Sequence, residues 1–158
     1  MSADSPWLTD EQQRVWRDWL QATALLPVAL HAQLQADSDL SFPDFEVLSE
    51  LSEVEGRQMR VGDLARALQW ERSRVSHHVK RMEARGLVRR EECASDGRGA
   101  QVVVTAGGRR SIERAAPGHA RTVRRLMFEP LSAREVALLG EVLSGLVSRL
   151  REEDERPR

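Results

Sequence analysis

Between Arg72 and Arg81 the chain sets Arg72, Ser73, Arg74, Ser76, His77, His78, Lys80 and Arg81 around the apolar residues Val75 and Val79, with Met82 one step beyond. Guanidinium groups are planar forks that bond two acceptors at once, either two phosphate oxygens or the O6 and N7 of guanine. Hydroxyls and imidazoles interleaved with them add further bonds to phosphates and base edges. The chemistry offered is the gripping of a polyanion with a side-chain code available to read it. A second basic group follows at Arg89, Arg90 and Arg98, the last beside Asp96 and Gly97. Asp96 has no attraction for phosphate, and its expected task is to pair with Arg98 or a neighbouring arginine and restrict its direction.

These side chains need a helix and a hairpin to present them. Val75, Val79 and Met82 recur at i, i+4 and i+7, so they face inward and leave Arg72, Arg74, His77, His78, Lys80 and Arg81 largely outside. Val61, Leu64, Ala65 and Leu68 give a short preceding helix its buried face, and Gln69, Trp70 and Glu71 alone separate the two. Gly86 can adopt the left-handed conformation that ends a helix, with Leu87 placed to fold back on the last turn. From there Leu87 to Cys93 and Gln101 to Thr105 read as two antiparallel strands around a reversal containing Asp96-Gly97 and Gly99. An arginine near such a tip is suited to a narrow minor groove, where negative potential is concentrated.

Flanking helices complete the outline. Thr9 and Gln12 form a capping-box pattern ahead of a helix predicted to about Gln35, with Val15, Trp16, Trp19, Leu20, Leu26, Leu30 and Leu34 as its stripe and a kink expected at Pro27. Another helix is predicted after Ser41, with Pro43 in its first turn and Phe45, Leu48 and Leu51 inward. Beyond Thr105 a helix through Ile112 is expected, interrupted near Pro117 and Gly118 and resuming through Val123, Leu126 and Met127. Ser132 and Glu135 make a second capping box before Val136, Leu139, Leu143, Leu146 and Leu150, a short heptad seam suited to pairing with a second copy.

Charge is divided along the chain. The total is −1, yet residues 1 to 56 carry −9, residues 57 to 110 carry +7 and residues 111 to 158 carry +1. Counterion release at a nucleic-acid backbone calls for that basic middle, and the acidic N-terminal part would be repelled. No run of about 18 apolar residues and no basic-then-apolar leader near Met1 is present, which leads to the expectation of a cytoplasmic protein without a membrane segment. The single Cys93 cannot form an intramolecular disulfide and lacks zinc-ligand spacing. His77 and His78 point about 100° apart on a helix and cannot share one ion, so neither a metal nor a cofactor is expected.

Together these residues resemble the MarR family of bacterial transcriptional regulators, from about Thr9 to Leu150. The segments that carry the resemblance are Ser73 to Glu91, SRVSHHVKRMEARGLVRRE, and Asp96 to Thr105, DGRGAQVVVT, which is similar to that family's D-x-R wing. The resemblance implies a mainly α fold with a small β wing, forming one domain over residues 1–158. Residues 41–105 would form a winged helix-turn-helix, 9–36 and 106–151 dimerisation helices, and 152–158 a disordered tail. It also implies a homodimer on a pseudo-palindromic duplex site, with two reading heads about 34 Å apart, and in many members release by a small aromatic or phenolic effector.

Carried onto this chain, the DNA-binding candidates are Arg72, Ser73, Arg74, Ser76, His77 and Arg81 from the helix and Asp96 and Arg98 from the wing. Arg72 and Arg74 are best placed for base edges, and Ser73, Ser76 and Arg81 for phosphate. Effector candidates are Trp16, Trp19, His31, Arg72 and His119, with packing the competing role for the tryptophans. Three other readings stand beside this one. An oxidant sensor through Cys93 is opposed by Glu91 and Glu92 and by the want of a resolving cysteine. A helical module binding an acidic protein would use the same basic surface, and discrimination between duplexes separates it from a regulator. An enzyme finds no phosphate loop, metal cluster or recognisable nucleophile in the sequence.

Overall fold

A computed structural model describes residues 6–92, 100–154 and 156, and its elements form two compact units, residues 1–119 and 120–158. The first unit begins with α1 (Asp10–Asp37), capped by Thr9, whose Oγ1 accepts from the Gln12 amide at 3.2 Å while Gln12 Oε1 accepts from the Thr9 amide at 2.9 Å. The helix runs unbroken through Pro27. Helix α2 (Phe42–Glu53) starts on a second reciprocal cap, Ser41 with Asp44, with Pro43 in the first turn where its missing N–H costs nothing.

A turn at Glu55–Arg57 leads into β1 (Gln58–Arg60), a strand the hydrophobic pattern did not announce. Three residues are too few to show a period, and Gln58 and Arg60 are polar on their exposed side. Strand β1 pairs with β3 (Ala100–Val104), which pairs in turn with β2 (Val88–Glu92), so the expected two-stranded hairpin is a three-stranded antiparallel sheet in the order β1-β3-β2. The tip between β2 and β3, with Cys93, Asp96 and Arg98, lies outside the described residues.

Helices α3 (Val61–Ala67) and α4 (Arg72–Ala84) pack on α2 and the sheet. Leu48, Leu51, Leu64, Val75, Val79, Met82, Val88 and Val102 meet in one core, each of them essentially inaccessible to solvent. Gly86 ends α4 at φ 70°, the left-handed stop its sequence position predicted, and the Leu87 amide reaches back to the Met82 carbonyl at 3.0 Å.

Helix α5 (Ala106–Val123) is seated by Thr105, whose Oγ1 donates to the Gly86 carbonyl at 2.6 Å and accepts from the Gly108 amide at 3.0 Å. The interruption expected at Pro117 does not occur. Glu113, whose carbonyl loses its helical donor, lies with Pro117 on the exposed side, where water can satisfy the carbonyl. Gly118 is buried, and a Cβ there would lie 2.6 Å from Asp37 Oδ2 and 2.9 Å from Gln33 Nε2, so its bareness lets α1 come close.

In the second unit the chain passes through a wide turn at Arg124–Phe128, closed by the Glu129 amide on the Arg124 carbonyl at 2.8 Å, a five-residue step. Helix α6 (Ala133–Asp154) follows the Ser132 and Glu135 cap. It takes in Glu152 to Asp154, which the sequence suggested would be disordered. Glutamate and arginine are good helix formers, and an exposed helix end needs no apolar content to continue for a turn. No described helix is long and apolar enough to cross a membrane.

Candidate nucleic-acid interface

Helix α4 is held by its inward residues and leaves its other faces to solvent. Val75, Val79 and Met82 are completely buried, which fixes the rotation of the helix, and Arg72, Ser73, Arg74, Ser76, His77, Lys80 and Arg81 are exposed around the rest of it. Ser76 spends its hydroxyl proton on the Arg72 carbonyl at 2.9 Å and keeps its lone pairs facing outward. Beside this face runs a crevice lined by Arg60, Asp63, Arg72, Ser76, Arg90 and Ala100, where α3, α4 and the root of the wing converge.

The wing root is fastened to α4. Glu83 accepts from the Arg90 amide at 3.0 Å and lies 2.9 Å from its guanidinium, and these bonds, the backbone one first, draw the Glu83 carboxyl below its ordinary range. Arg89 pairs with Glu91 along β2 at 2.6 Å. The Asp96 and Arg98 pairing expected in the wing falls outside the described residues.

A correction concerns His78, which the periodicity grouped with the outward basic residues. It is only 6% exposed. Four residues before Met82, it lies about 40° from that inward side chain on the helix wheel, so it borders the buried sector. Its Nε2 lies 3.0 Å from Asp44 Oδ1. The approach is off the line of a straight hydrogen bond, and the contact is a close electrostatic pairing. On the other ring edge Arg81 Nη2 lies 2.9 Å from His78 Nδ1.

Asp44, itself buried, also meets Arg85 Nη1 at 2.6 Å, and Arg85 Nη2 reaches the Asp39 carbonyl. Burial works against its charge, but the pairing with His78 and the bonds from the Ser41 backbone, Arg85 and the Ser41 hydroxyl together outweigh it and hold the carboxyl well below the usual carboxylate range.

The turn between α3 and α4 presents Trp70. Gln69 takes φ 53° there, and the Trp70 amide bonds the Ala65 carbonyl at 2.9 Å. The indole stands edge-on to the His78 ring, centroids 5.6 Å apart, and the Arg74 guanidinium lies over the indole 4.0 Å from its centroid. Arg74 is therefore stacked rather than loose. Neither Trp70 nor Asp44 stood out in the sequence as part of this surface. The one available signal was the Ser41-to-Asp44 spacing of a capping box, which says nothing of a second partner 34 positions away.

The effector candidates separate. His31 and His119 both meet the first turn of α2: the Phe42 amide donates to His31 Nδ1 at 3.4 Å, and the His119 ring is 4.3 Å from that of Phe45. Burial lowers the pKa of His119, favouring its neutral form. Gln33 Oε1 and His119 Nδ1 are buried and have no hydrogen-bond partner among the described residues. Trp16 and Trp19 stand 49% and 40% exposed on α1, and the second of them is about 18 Å along the helix from His31 at 1.5 Å per residue. Arg72 lines the crevice beside the wing. Among the described residues no three His, Cys, Asp or Glu side chains are grouped to hold a metal.

Comparison with known proteins extends this geometry. A family model described as MarR family matches residues 38–99. A comparison with curated proteins finds no significant match. Among solved structures the chain is similar to AbsC, a MarR family transcriptional regulator from Streptomyces coelicolor, at 40% identity and TM-score 0.87, over 94% of this chain and 99% of that one. It is also similar to Sco3205, a MarR family transcriptional regulator from the same organism in complex with DNA, at 38% identity and TM-score 0.85, over 96% and 95% of the two chains. Wild-type MarR from E. coli in its apo form shares the fold at 22% identity and TM-score 0.69, over 82% and 94%.

Proposed function

The chain belongs to the MarR family of transcriptional regulators, and on that premise we propose that it binds a pseudo-palindromic operator as a homodimer and represses the adjoining promoter. The observation that carries this reading is the exposed part of α4, where Arg72, Ser73, Arg74, Ser76, His77, Lys80 and Arg81 are left to solvent by a helix whose rotation is set by three buried residues. A rigid helix of that kind is what the major groove admits. The Sco3205 complex, at 38% identity, supports DNA as the partner.

Homodimerisation is supported by exposed apolar side chains on the flanking helices. Val15, Trp16, Trp19 and Leu20 on α1 and Leu138, Val142 and Val147 on α6 all face solvent in the single chain, a state a monomer seldom tolerates. Residues 9–36 and 106–151 are proposed as the dimerising parts and 41–105 as the DNA-binding part. In the reading, Arg98 of the wing enters the minor groove, oriented by Asp96.

The first turn of α2 supports an effector site. Phe42, Phe45 and His119 supply aromatic walls, and the unspent polar atoms of Gln33 and His119 suit a small aromatic or phenolic molecule with one hydrogen-bonding group. Such a molecule releases DNA only by preferring the spacing of heads that does not fit the operator.

A gel-shift against the chain's own upstream region tests the whole reading. One fragment should be retained in large excess of competitor duplex, with log affinity falling linearly in log salt by about 0.9 per phosphate neutralised. Equal retention of every duplex, or no salt dependence, would overturn it. The same assay with added phenol as probe should release that fragment, and His119→Ala should abolish the release.

A further inference from the structure

We propose that Asp44 and His78 are positioning residues for DNA recognition: a buried hub that aims Arg81 by direct hydrogen bond and Arg74 through the Trp70 indole. A carboxylate of α2 that never touches the duplex would thereby set both affinity and base preference. The inference rests on the operator-binding reading above.

The contacts form one continuous chain. Asp44 is anchored by Ser41 and Arg85, so its Oδ1 is a fixed point for the His78 ring. An arginine nitrogen can only donate. The 2.9 Å contact from Arg81 therefore requires a bare Nδ1 on His78, which puts the proton of the neutral ring on Nε2, facing Asp44. The carboxylate thus selects the tautomer that receives Arg81. The fixed imidazole also meets the Trp70 ring at right angles, and the indole face carries Arg74.

Arg74, His78 and Arg81 are spaced i, i+4 and i+7, one flank of α4 next to the outward face. Both arginines are exposed, and exposed arginines ordinarily wander over many rotamers and lose that freedom on binding. Restraining them beforehand removes part of the loss and fixes which acceptors they can reach. Had the hub served only to join α2 to α4, Asp44 and Arg85 would suffice. The bond from Arg81 is made at the other ring nitrogen, and the Trp70 and Arg74 stack adds a contact that such a joint does not need.

The test uses the full-length protein and a duplex selected by the wild type from random-sequence DNA. In His78→Gln the amide still reaches Asp44, but its oxygen is not held by a ring in the position from which Nδ1 receives Arg81. We expect nearly wild-type thermal unfolding, about tenfold weaker binding, and no further loss when Arg81→Ala is added to it. Trp70→Leu should relax base preference at the positions that Arg74→Ala relaxes, and Trp70→Phe should preserve it. A folded His78→Gln protein with undiminished affinity, full additivity with Arg81→Ala, or unchanged preference in Trp70→Leu would each overturn the proposal.

Nitrogen NMR of the wild type supplies a readout that needs neither DNA nor a variant. His78 should show a protonated Nε2 and a bare Nδ1, and the opposite tautomer would defeat the inference. Failure of the wild type to select any duplex would instead defeat the operator-binding reading, with the tautomer still decided.

Discussion

Asp44 shows how one side chain can join folding to recognition. Its folded pKa is depressed, so the stability it contributes is fully present above the ordinary carboxylate value of 3.8 and is lost as the pH falls below it. Asp44→Asn should cost about 3 kcal/mol at neutral pH, the lower end for breaking a buried ion pair, because the partner Arg85 can turn to water. It should also flatten the acid limb of stability against pH, as measured by urea unfolding. His119 has a depressed folded pKa for a different reason, burial against Phe42 and Phe45, so its contribution is present above 6.5 and lost as the pH falls. Wild-type stability should therefore decline as the pH falls through and below 6.5, and His119→Phe should remove that contribution to the slope. At the duplex, Arg74→Ala should relax preference at one or two base pairs by about 1 to 3 kcal/mol, read by competition with single-base variants. The stacked starting position of Arg74 over Trp70 argues for a directed base contact over a diffuse phosphate one.

Two glycines in α5 separate backbone contact from side-chain contact as determinants of element packing. A Cβ on Gly108 would lie 2.0 Å from the Leu87 carbonyl oxygen and 3.2 Å from Leu48 Cδ2, both held in place by the sheet and core. Gly108→Ala should destabilise by about 3 kcal/mol, since neither neighbour can yield without moving β2 or α2. A Cβ on Gly118 meets only the outer atoms of Asp37 and Gln33, and these side chains can swing away. Gly118→Ala gains helix propensity of about 1 kcal/mol, so its net effect should lie within about 1 kcal/mol of neutral. Urea unfolding of the two variants side by side checks the contrast, and equal losses would refute it. Helix α2 has an unusual position among these elements. Its first turn touches His31 and His119 through Phe42 and Phe45, and His78 and Arg85 through Asp44.

For the molecule as a whole the governing quantity is the exposed apolar surface of the two flanking helices. Val15, Trp16, Trp19 and Leu20 of α1 and Leu138 and Val142 of α6 are exposed, and in the proposed homodimer a second copy of the chain would cover such surface by symmetry. The wild type should sediment at twice the chain mass at micromolar concentration. Leu138→Asp should shift it toward the monomer and weaken operator binding far more than binding to random duplex. Two linked heads gain from effective concentration only when both half-sites are present. A wild-type protein that sediments as a single chain would remove the two-headed part of the proposal. The division of charge belongs to this scale too, since the acidic first 56 residues must stay clear of the duplex that the basic middle meets.

Local rules sufficed for much of this molecule. The caps at Thr9 and Ser132, the left-handed stop at Gly86, the inward repeat of Val75, Val79 and Met82, and the basic segment are all written in residues a few positions apart, where hydrogen-bond reach and helical period decide the outcome. The sequence by itself thus determined which helix carries the basic face and where it begins and ends. Only the tertiary structure decided what that helix leans on. Strand β1 is too short to carry a period and exists because β3 offers it an edge. Helix α5 continues through Pro117 because the lost bond falls on the wet side. His78 turned inward because Asp44, 34 positions earlier, supplies a buried charge for it to face. Periodicity assigns a side chain to a sector of its own helix, but a residue at the sector's edge is placed by the partner that arrives from elsewhere in the chain.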